Sequence, residues 1–217
     1  MKKIPKETWA QTIEYKLNKS LEFTNVLPLD NLSGKKVLDF GCGSGRDTVS
    51  LAKNEVDAYG VDILKSNIQN AKKLSKNNKT KAHFKLVKEN QDIPYKNNFF
   101  DCIICSGVLH HIKHANEVID EFKRVLKPNG ILYLMVYTED LFKMNIDKII
   151  NMIKNTPEKT WQRCFGEITD KCEYSTFYTF YDAVVLFESK LFRHLISIPF
   201  HNFQFRIFKF KNIKEVK

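Results

Sequence analysis

The chain has 217 residues, a formal net charge of +10 and five cysteines. This length fits one domain with a sizeable core and leaves little room for a second full domain. The longest uninterrupted apolar run, residues 131–137, is far shorter than the ~20 residues that cross a bilayer, and no apolar signal region follows the charged start. We therefore expect a protein without a membrane span, located in the cytoplasm.

The basic charge raises the question of nucleic acid as a partner. The lysines are scattered among asparagines and isoleucines rather than gathered in a dense block with interleaved aromatic residues. We therefore do not expect nucleic acid to be the partner.

The number of cysteines is odd, and the composition is not that of a disulfide-stabilised scaffold. Both observations favour a protein located in a reducing compartment. Cys102 and Cys105 have the spacing of a metal-binding pair, but residues three apart in a strand point to opposite faces. We therefore predict no metal site. Cys164 and Cys172 are left without an assigned role.

A glycine-rich loop follows the first apolar run of the chain, in the sequence Val-Leu-Asp-Phe-Gly-Cys-Gly-Ser-Gly of residues 37–45. Glycines at alternate positions allow positive φ and a close backbone approach to a ligand. Residues 46–53 have a helical pattern, so a helix N-terminus points toward the loop. Loops of this composition also occur in ordinary turns, so this motif alone leaves both interpretations open.

A second apolar run, residues 58–61, ends in Asp62. An ionised carboxylate at the end of a second parallel strand can accept hydrogen bonds from both hydroxyls of a ribose. The fingerprint of nicotinamide dinucleotide sites requires glycine at the sixth loop position, where this chain has Arg46. This mismatch makes a dinucleotide cofactor a less favoured interpretation of the loop and the acid.

With these two motifs the chain resembles the class I S-adenosylmethionine-dependent methyltransferases. The segments at residues 93–95, 99–101, 108–111 and 124–130 match the same family in the same order, so that the resemblance covers residues 35–137. It implies that S-adenosyl-L-methionine is bound near its amino group by Asp39, at its ribose by Asp62, at its adenine by Glu89 or Asn90, and beside its methionine end by Ser106. The same cofactor set includes Gly41, Cys42, Gly43 and Ile63.

Strand-like and helix-like segments alternate along residues 37–137, a pattern typical of an α/β fold with a doubly wound, mostly parallel sheet. The fifth strand is predicted at residues 130–137. Thr179 is predicted to cap a later helix, and residues 190–198 and 203–210 are predicted to be strands. The resemblance implies that these two form a C-terminal antiparallel hairpin, which completes a seven-stranded, Rossmann-like sheet.

We expect a single domain over residues 1–217 with four parts. These are an N-terminal helical flap (1–33), a cofactor-binding core (34–137), a helical insertion or lid (138–178), and a last helix with the terminal strands (179–217). Aromatic residues are frequent in the lid, and aromatic walls suit a compact organic substrate. The predicted substrate pocket comprises Tyr15, Tyr137, Trp161 and Tyr178, although these rings could instead only pack the lid onto the sheet.

His110 and His111 are the candidate catalytic residues, because a histidine can act as a general base near neutral pH. The alternative is that at least one of them only packs against the next helix. The chain has Ser106-Gly107-Val108-Leu109 where an enzyme that methylates an exocyclic base amine is expected to carry Asn/Asp-Pro-Pro-aromatic. We therefore expect methyl transfer to a small molecule. An RNA or protein methyltransferase, a non-catalytic cofactor-fold binding protein and an oxidoreductase remain alternatives.

Overall fold

The computed structural model describes residues 31–88, 92–137, 178–200 and 205–213. Several predictions lie outside these residues: the flap before residue 31 with Tyr15, the lid up to residue 177 with Trp161, the adenine contacts Glu89 and Asn90, and the two cysteines Cys164 and Cys172. Tyr137 lies at the end of a described strand, but its side chain is outside the described atoms.

Seven strands form one sheet in the order β3-β2-β1-β4-β5-β7-β6. The first five are parallel, whereas β7 is antiparallel to both β5 and β6. The predicted fold class and the terminal antiparallel hairpin are therefore confirmed. The strands are β1 (Lys36–Phe40), β2 (Asp57–Asp62), β3 (His83–Leu86), β4 (Phe100–Ser106), β5 (Leu126–Tyr137), β6 (Phe192–Phe200) and β7 (Phe205–Asn212).

In the described part of the chain, four α-helices flank the sheet: α1 (Arg46–Lys53), α2 (Lys65–Asn77), α3 (Ala115–Val125) and α4 (Phe180–Ser189). The bounds of α1 are those predicted from the sequence. Thr179 caps α4 as predicted, because its side chain accepts a hydrogen bond from the backbone N–H of Asp182. Within the described ranges, no helix is long and apolar enough to cross a membrane.

The two faces of the sheet carry separate apolar layers. One face packs Leu38 and Ile103 against Phe122 of α3 and Phe187 of α4. The opposite face packs against Leu51 of α1 and, near β3, against α2. Helices on both faces of a parallel sheet are the doubly wound arrangement, which places ligand sites at the carboxyl ends of the strands where the strand order reverses.

That reversal lies between β1 and β4. The chain runs outward from β1 to β3 and then returns to pair β4 with the other side of β1, with Asp39 opposite Ile104. The crevice outside the carboxyl ends of these two strands is bordered by the glycine loop after Phe40 and by Ser106 and Gly107. The sequence motifs therefore meet at the position where this fold class binds ligands.

Two details refine the sequence predictions. The fifth strand begins at Leu126 rather than at Gly130, because Leu126 pairs with Phe100 immediately after α3 ends. The side chains of Cys102 and Cys105 belong to the apolar layers on opposite faces of the sheet, as predicted.

Candidate functional site

The glycine loop has the backbone conformation that its sequence predicts. Gly41 and Gly43 have φ values of 74° and 52°, in the region that disfavours residues with a side chain. A Cβ added at Gly41 would overlap the side chain of Val108, whereas one added at Gly43 would have no heavy atom within 4 Å. The loop is therefore packed against Val108 at Gly41 and has open space beside Gly43.

Asp62 ties this loop to the end of β2. Its Oδ2 accepts the backbone N–H of Gly43 at 2.9 Å, and its Oδ1 accepts the backbone N–H of Leu64 at 2.8 Å and the side-chain amide of Asn67 at 3.1 Å. The residue is only 8% exposed. The predicted ribose acid thus lies beside the open part of the loop. Sequence reasoning missed Asn67, which is five residues further along the chain.

Asp39 is the second acid of the site and is nearly completely buried, with 3% exposure. Its Oδ2 accepts a hydrogen bond of 2.6 Å from the hydroxyl of Thr48 on α1. Burial raises the pKa of Asp39 to about 7, and the charges of Asp47 and Asp62 act in the same direction, whereas hydrogen bonding to Thr48 opposes them. Sequence reasoning did not identify Thr48. The available signal was its position as the third residue of a helix that begins after a glycine.

The arrangement of charge provides a test of which cofactor fits. The charges of Asp47 and Asp62 both act on the carboxyl group of Asp39, beside a loop that is open at Gly43. Such a site would repel a pyrophosphate, but it suits a ligand with positive charge. S-adenosylmethionine carries a sulfonium and an ammonium group and has a ribose for Asp62, so the residues present fit this cofactor.

Ile63 and Cys42 occupy very different environments. Ile63 follows Asp62 and is 57% exposed, which leaves an apolar side chain available to a flat ring beside the ribose site. The thiol of Cys42 is buried, and burial raises its pKa. The backbone N–H of Cys42 donates to Val61 and its carbonyl oxygen accepts from Gly45. Cys42 therefore supports the loop from within, and its predicted contact with the cofactor stays a prediction.

Ser106 ends β4 and is half-buried, with its backbone paired to Met135 of β5. The next residue, Gly107, has a φ of 71° and donates its N–H to the carbonyl oxygen of Met135 at 3.0 Å. Because β4 adjoins β1 in the sheet, the chain at Ser106 leaves the sheet beside the glycine loop. This placement agrees with the predicted position near the methionine end of the cofactor.

The two histidines follow in a short 3-10 turn, Leu109–His111, with ring centroids 4.2 Å apart. His110 is 1% exposed, and its burial, together with the charge of His111, lowers its pKa to about 2. His111 is half-buried. His110 is therefore neutral at physiological pH, and the two predicted candidates are not equivalent.

Tyr178 packs against the apolar layer under α3 and α4. This contact agrees with the alternative in which the ring packs the fold, and the predicted contact of Tyr178 with a substrate stays a prediction.

The sequence alone did not reveal the hydrogen bonds that hold the segment before β4. Arg124 of α3 donates to the carbonyl oxygens of Ile93 and Tyr95. These residues follow the segment predicted to reach the adenine.

Comparison with known proteins supports the interpretation of the fold and the loop. A family model described as a methyltransferase domain matches residues 31–183, which is more than half of the chain. The ubiquinone biosynthesis O-methyltransferase of Rickettsia canadensis is 29% identical over 102 residues, which are 47% of this chain and 42% of that protein. The chain spans about half the length of the curated relatives that it matches.

Solved structures share the fold. An S-adenosylmethionine-dependent methyltransferase from Methanosarcina mazei superimposes with a TM-score of 0.64 at 19% identity, covering 87% of this chain and 99% of that one. The 1,6-didemethyltoxoflavin-N1-methyltransferase of Burkholderia thailandensis, solved with bound 1,6-didemethyltoxoflavin and S-adenosylhomocysteine, has a TM-score of 0.64 at 14% identity over 88% of this chain and 76% of its own.

The sheet order, the glycine loop, Asp39 near the end of β1 and Asp62 at the end of β2 define a methyltransferase domain. The chain belongs to the class I S-adenosylmethionine-dependent methyltransferases, and S-adenosyl-L-methionine is its cofactor.

Proposed function

We propose that the protein transfers a methyl group from S-adenosylmethionine to a small-molecule acceptor. The observation that carries this proposal is the pair of buried acids, Asp39 and Asp62, beside a loop that is open at Gly43. The cofactor supplies a methyl group that its sulfonium already activates. The residues of the chain therefore mainly have to hold two reactants in line and exclude water.

Each residue of the crevice has a role in this proposal. Asp39 binds the ammonium group of the cofactor, and Asp62 accepts hydrogen bonds from its ribose hydroxyls. The backbone at Gly43 allows close approach, because it has no neighbouring heavy atom on its Cβ side. Ile63 offers an exposed apolar surface to the adenine ring, and Ser106 borders the methionine end.

A small acceptor is supported by the residues after β4 and by the names of relatives. The turn after Ser106 carries Val108 and Leu109, and Leu109 is fully buried, so this segment packs the core rather than presenting a base-binding surface. The relatives from Rickettsia and Burkholderia are named for ubiquinone biosynthesis and for a toxoflavin precursor, which are small molecules. The acceptor chemistry of this chain is therefore proposed to be of that class.

His111 is the proposed general base if the acceptor must lose a proton. The low pKa of His110 means that it does not take up a proton near neutral pH, and its 1% exposure withholds it from an acceptor. His111 adjoins it and is partly exposed at the end of the turn. His110 then has a packing role beneath His111.

Binding of S-adenosylhomocysteine, measured by calorimetry, tests the cofactor site. Asp62→Ala removes an acceptor of charge-assisted hydrogen bonds and should weaken binding by about ten- to hundredfold. The control is Asp57→Ala, because Asp57 begins the same strand at its other end, where it pairs with Lys36 at 2.7 Å. Equal affinities of the two variants for S-adenosylhomocysteine would contradict the assignment of Asp62 to the cofactor site.

A labelled-methyl assay in fractionated lysate tests the acceptor class. We expect the label in the small-molecule fraction. Label in RNA or protein alone would show that the acceptor is a macromolecule, and cofactor binding without any transfer would favour a non-catalytic binding protein.

A further inference from the structure

Thr48 has no place in the function described so far, although it makes the shortest side-chain contact to a site acid. It is fully buried, and its Oγ1 donates to Oδ2 of Asp39 at 2.6 Å. Asp39 is itself only 3% exposed. A hydroxyl and a carboxyl group are thus buried together beside the glycine loop, where each is the hydrogen-bond partner of the other.

The position of Thr48 on its helix explains why it faces Asp39. Helix α1 begins after Gly45, which has no side chain to cap the first turn. The first backbone N–H groups of a helix lack partners within that helix. The hydroxyl of Thr48 donates to the carboxyl group of Asp39 and lowers its pKa, and the backbone N–H of Thr48 acts on that pKa in the same direction. The strand acid therefore accepts a hydrogen bond from a side chain in the first turn of the helix, and this bond sets the orientation of its carboxyl group.

Other groups around Asp39 act against its ionisation. Burial is the largest influence, and the negative charges of Asp47 and Asp62 add to it. The thiols of Cys42 and Cys105 are also close enough to be influenced by Asp39, but burial raises the pKa of both, so they contribute no charge at neutral pH. Since the pKa of Asp39 is about 7, its carboxyl group is close to half protonated at that pH. The hydrogen bond from the hydroxyl of Thr48 opposes these influences and favours the charged form.

We propose that Thr48 is a positioning residue for cofactor binding, because its hydroxyl holds Asp39 in the charged and oriented state that pairs with the ammonium group of the cofactor. This inference rests on the proposed role of Asp39. Cofactor binding should then release a proton, because the proton on the Asp39 carboxyl group moves to solvent when the ammonium group binds there. The affinity for the cofactor should therefore rise with pH until Asp39 is fully ionised.

The experiment measures the affinity of S-adenosylhomocysteine from pH 6 to pH 8.5 by calorimetry. In the unaltered protein the affinity should rise with pH and level off above about pH 7, with release of about half a proton at pH 7 in buffers of different ionisation enthalpy. Thr48→Val keeps the shape of the side chain but loses the hydroxyl that donates to Asp39. The rise of affinity with pH should therefore occur about one pH unit higher. The affinity should then fall about fivefold at pH 7 and less than about twofold at pH 8.5.

Three further variants separate positioning from packing. Thr48→Ser keeps the hydroxyl and should restore the original profile. Thr48→Ala lacks the hydroxyl in a smaller side chain and repeats the test if Thr48→Val does not fold. Thr80→Val removes a threonine hydroxyl that lies 2.9 Å from Ser75, away from the crevice, and should leave the profile unchanged.

Each outcome decides one assignment. If Thr48→Val and Thr48→Ala weaken binding equally at every pH, or leave it unchanged, the positioning role is overturned while the proposed function stands. If Asp39→Asn neither weakens binding nor abolishes proton release, the role of Asp39 is overturned, and the inference fails with it. Absence of binding by the unaltered protein would overturn the proposed function itself.

Discussion

Arg124 and Glu121 lie one turn apart on α3 and form a bidentate ion pair, with Nε 2.6 Å from Oε1 and Nη2 2.6 Å from Oε2. The same carboxylate accepts the backbone N–H of Ile93 at 2.7 Å, and the guanidinium donates to the carbonyl oxygen of Tyr95 at 2.8 Å. Hydrogen bonding to Arg124 is the main reason why the pKa of Glu121 is lowered. The pair thus fastens the segment that precedes β4 to the helix that follows it.

Loss of this pair should destabilise the whole fold. Arg124→Met takes the ion-pair partner from a mostly buried carboxylate and the donor from two carbonyl oxygens, so the free energy of unfolding should fall by about 2–4 kcal/mol. Urea unfolding measures this change. The control is Asp120→Asn, because Asp120 lies on the same helix as Arg124. This change removes an exposed ion pair with Lys190 and should change the free energy of unfolding by less than about 1 kcal/mol. Equal losses in both variants would show that the contacts to residues 93–95 contribute little.

The pH dependence of stability should reveal the buried acid Asp39. Its pKa is about 7 in the folded protein, whereas an aspartate in an unfolded chain has a pKa of 3.8, so the folded state holds the extra proton between these pH values. Its contribution to stability therefore falls as pH rises from about 4 to 7. His110 acts in the opposite direction below 6.5, the ordinary pKa of a histidine, because its burial lowers the pKa and only the unfolded chain takes up the proton.

The difference in unfolding free energy between Asp39→Asn and the unaltered protein does not contain the contribution of His110, because both proteins carry this histidine. Between pH 4 and pH 7, Asp39→Asn should gain stability relative to the unaltered protein by up to about 1.4 kcal/mol per pH unit. Above pH 7 the difference should be constant. Denaturant unfolding across this range provides the measurement, and two parallel profiles would mean that Asp39 ionises normally in the folded state.

Gly43 and Gly34 form a matched pair for testing the open side of the loop. Their φ values are 52° and 68°, and a Cβ at either position would meet no heavy atom within 4 Å. Alanine at each position should therefore cost the same backbone strain, about 1–2 kcal/mol in the free energy of unfolding. Only Gly43→Ala should also weaken S-adenosylhomocysteine binding in calorimetry. A similar loss of affinity in Gly34→Ala would indicate a general effect of stability.

Gly41 differs from Gly43 because its missing Cβ would overlap Val108. Gly41→Ala should thus add overpacking of about 1–3 kcal/mol to the strain of its positive φ. The double variant Gly41→Ala with Val108→Ala should recover part of this loss, since the second change removes the clashing methyl groups. Unfolding free energies of the two single variants and the double variant give the coupling between the positions. Simple additivity would contradict the predicted contact.

The sequence predicts the parts of this protein that are encoded by local patterns. The helix that follows the glycine loop, the acid at the end of β2 and the N-cap at Thr179 each depend on residues within a few positions of one another. Backbone conformation and capping chemistry act at that range, so a single stretch of sequence carries the signal.

The missed features depend on contacts between separate elements. The carboxyl group of Asp39 meets Thr48 only after a strand and a helix pack together, and Ile93 meets Glu121 across 28 positions. Neither pair has a spacing that a single element would produce. The difference between His110 and a solvent-exposed base was missed for the same reason, because burial is a property of the packed fold.

The position of β7 has a consequence for synthesis of the protein. β7 is the last strand of the described chain, yet it lies inside the sheet between β5 and β6. It supplies Phe208 and Phe210, both fully buried, with ring centroids 5.6 Å apart. While the chain emerges from the ribosome, the hydrogen-bonding edge of β5 and the apolar layer beside it stay uncovered until residues 205–212 are available. A nascent chain that stops before Phe205 should therefore be a target for chaperones and proteases.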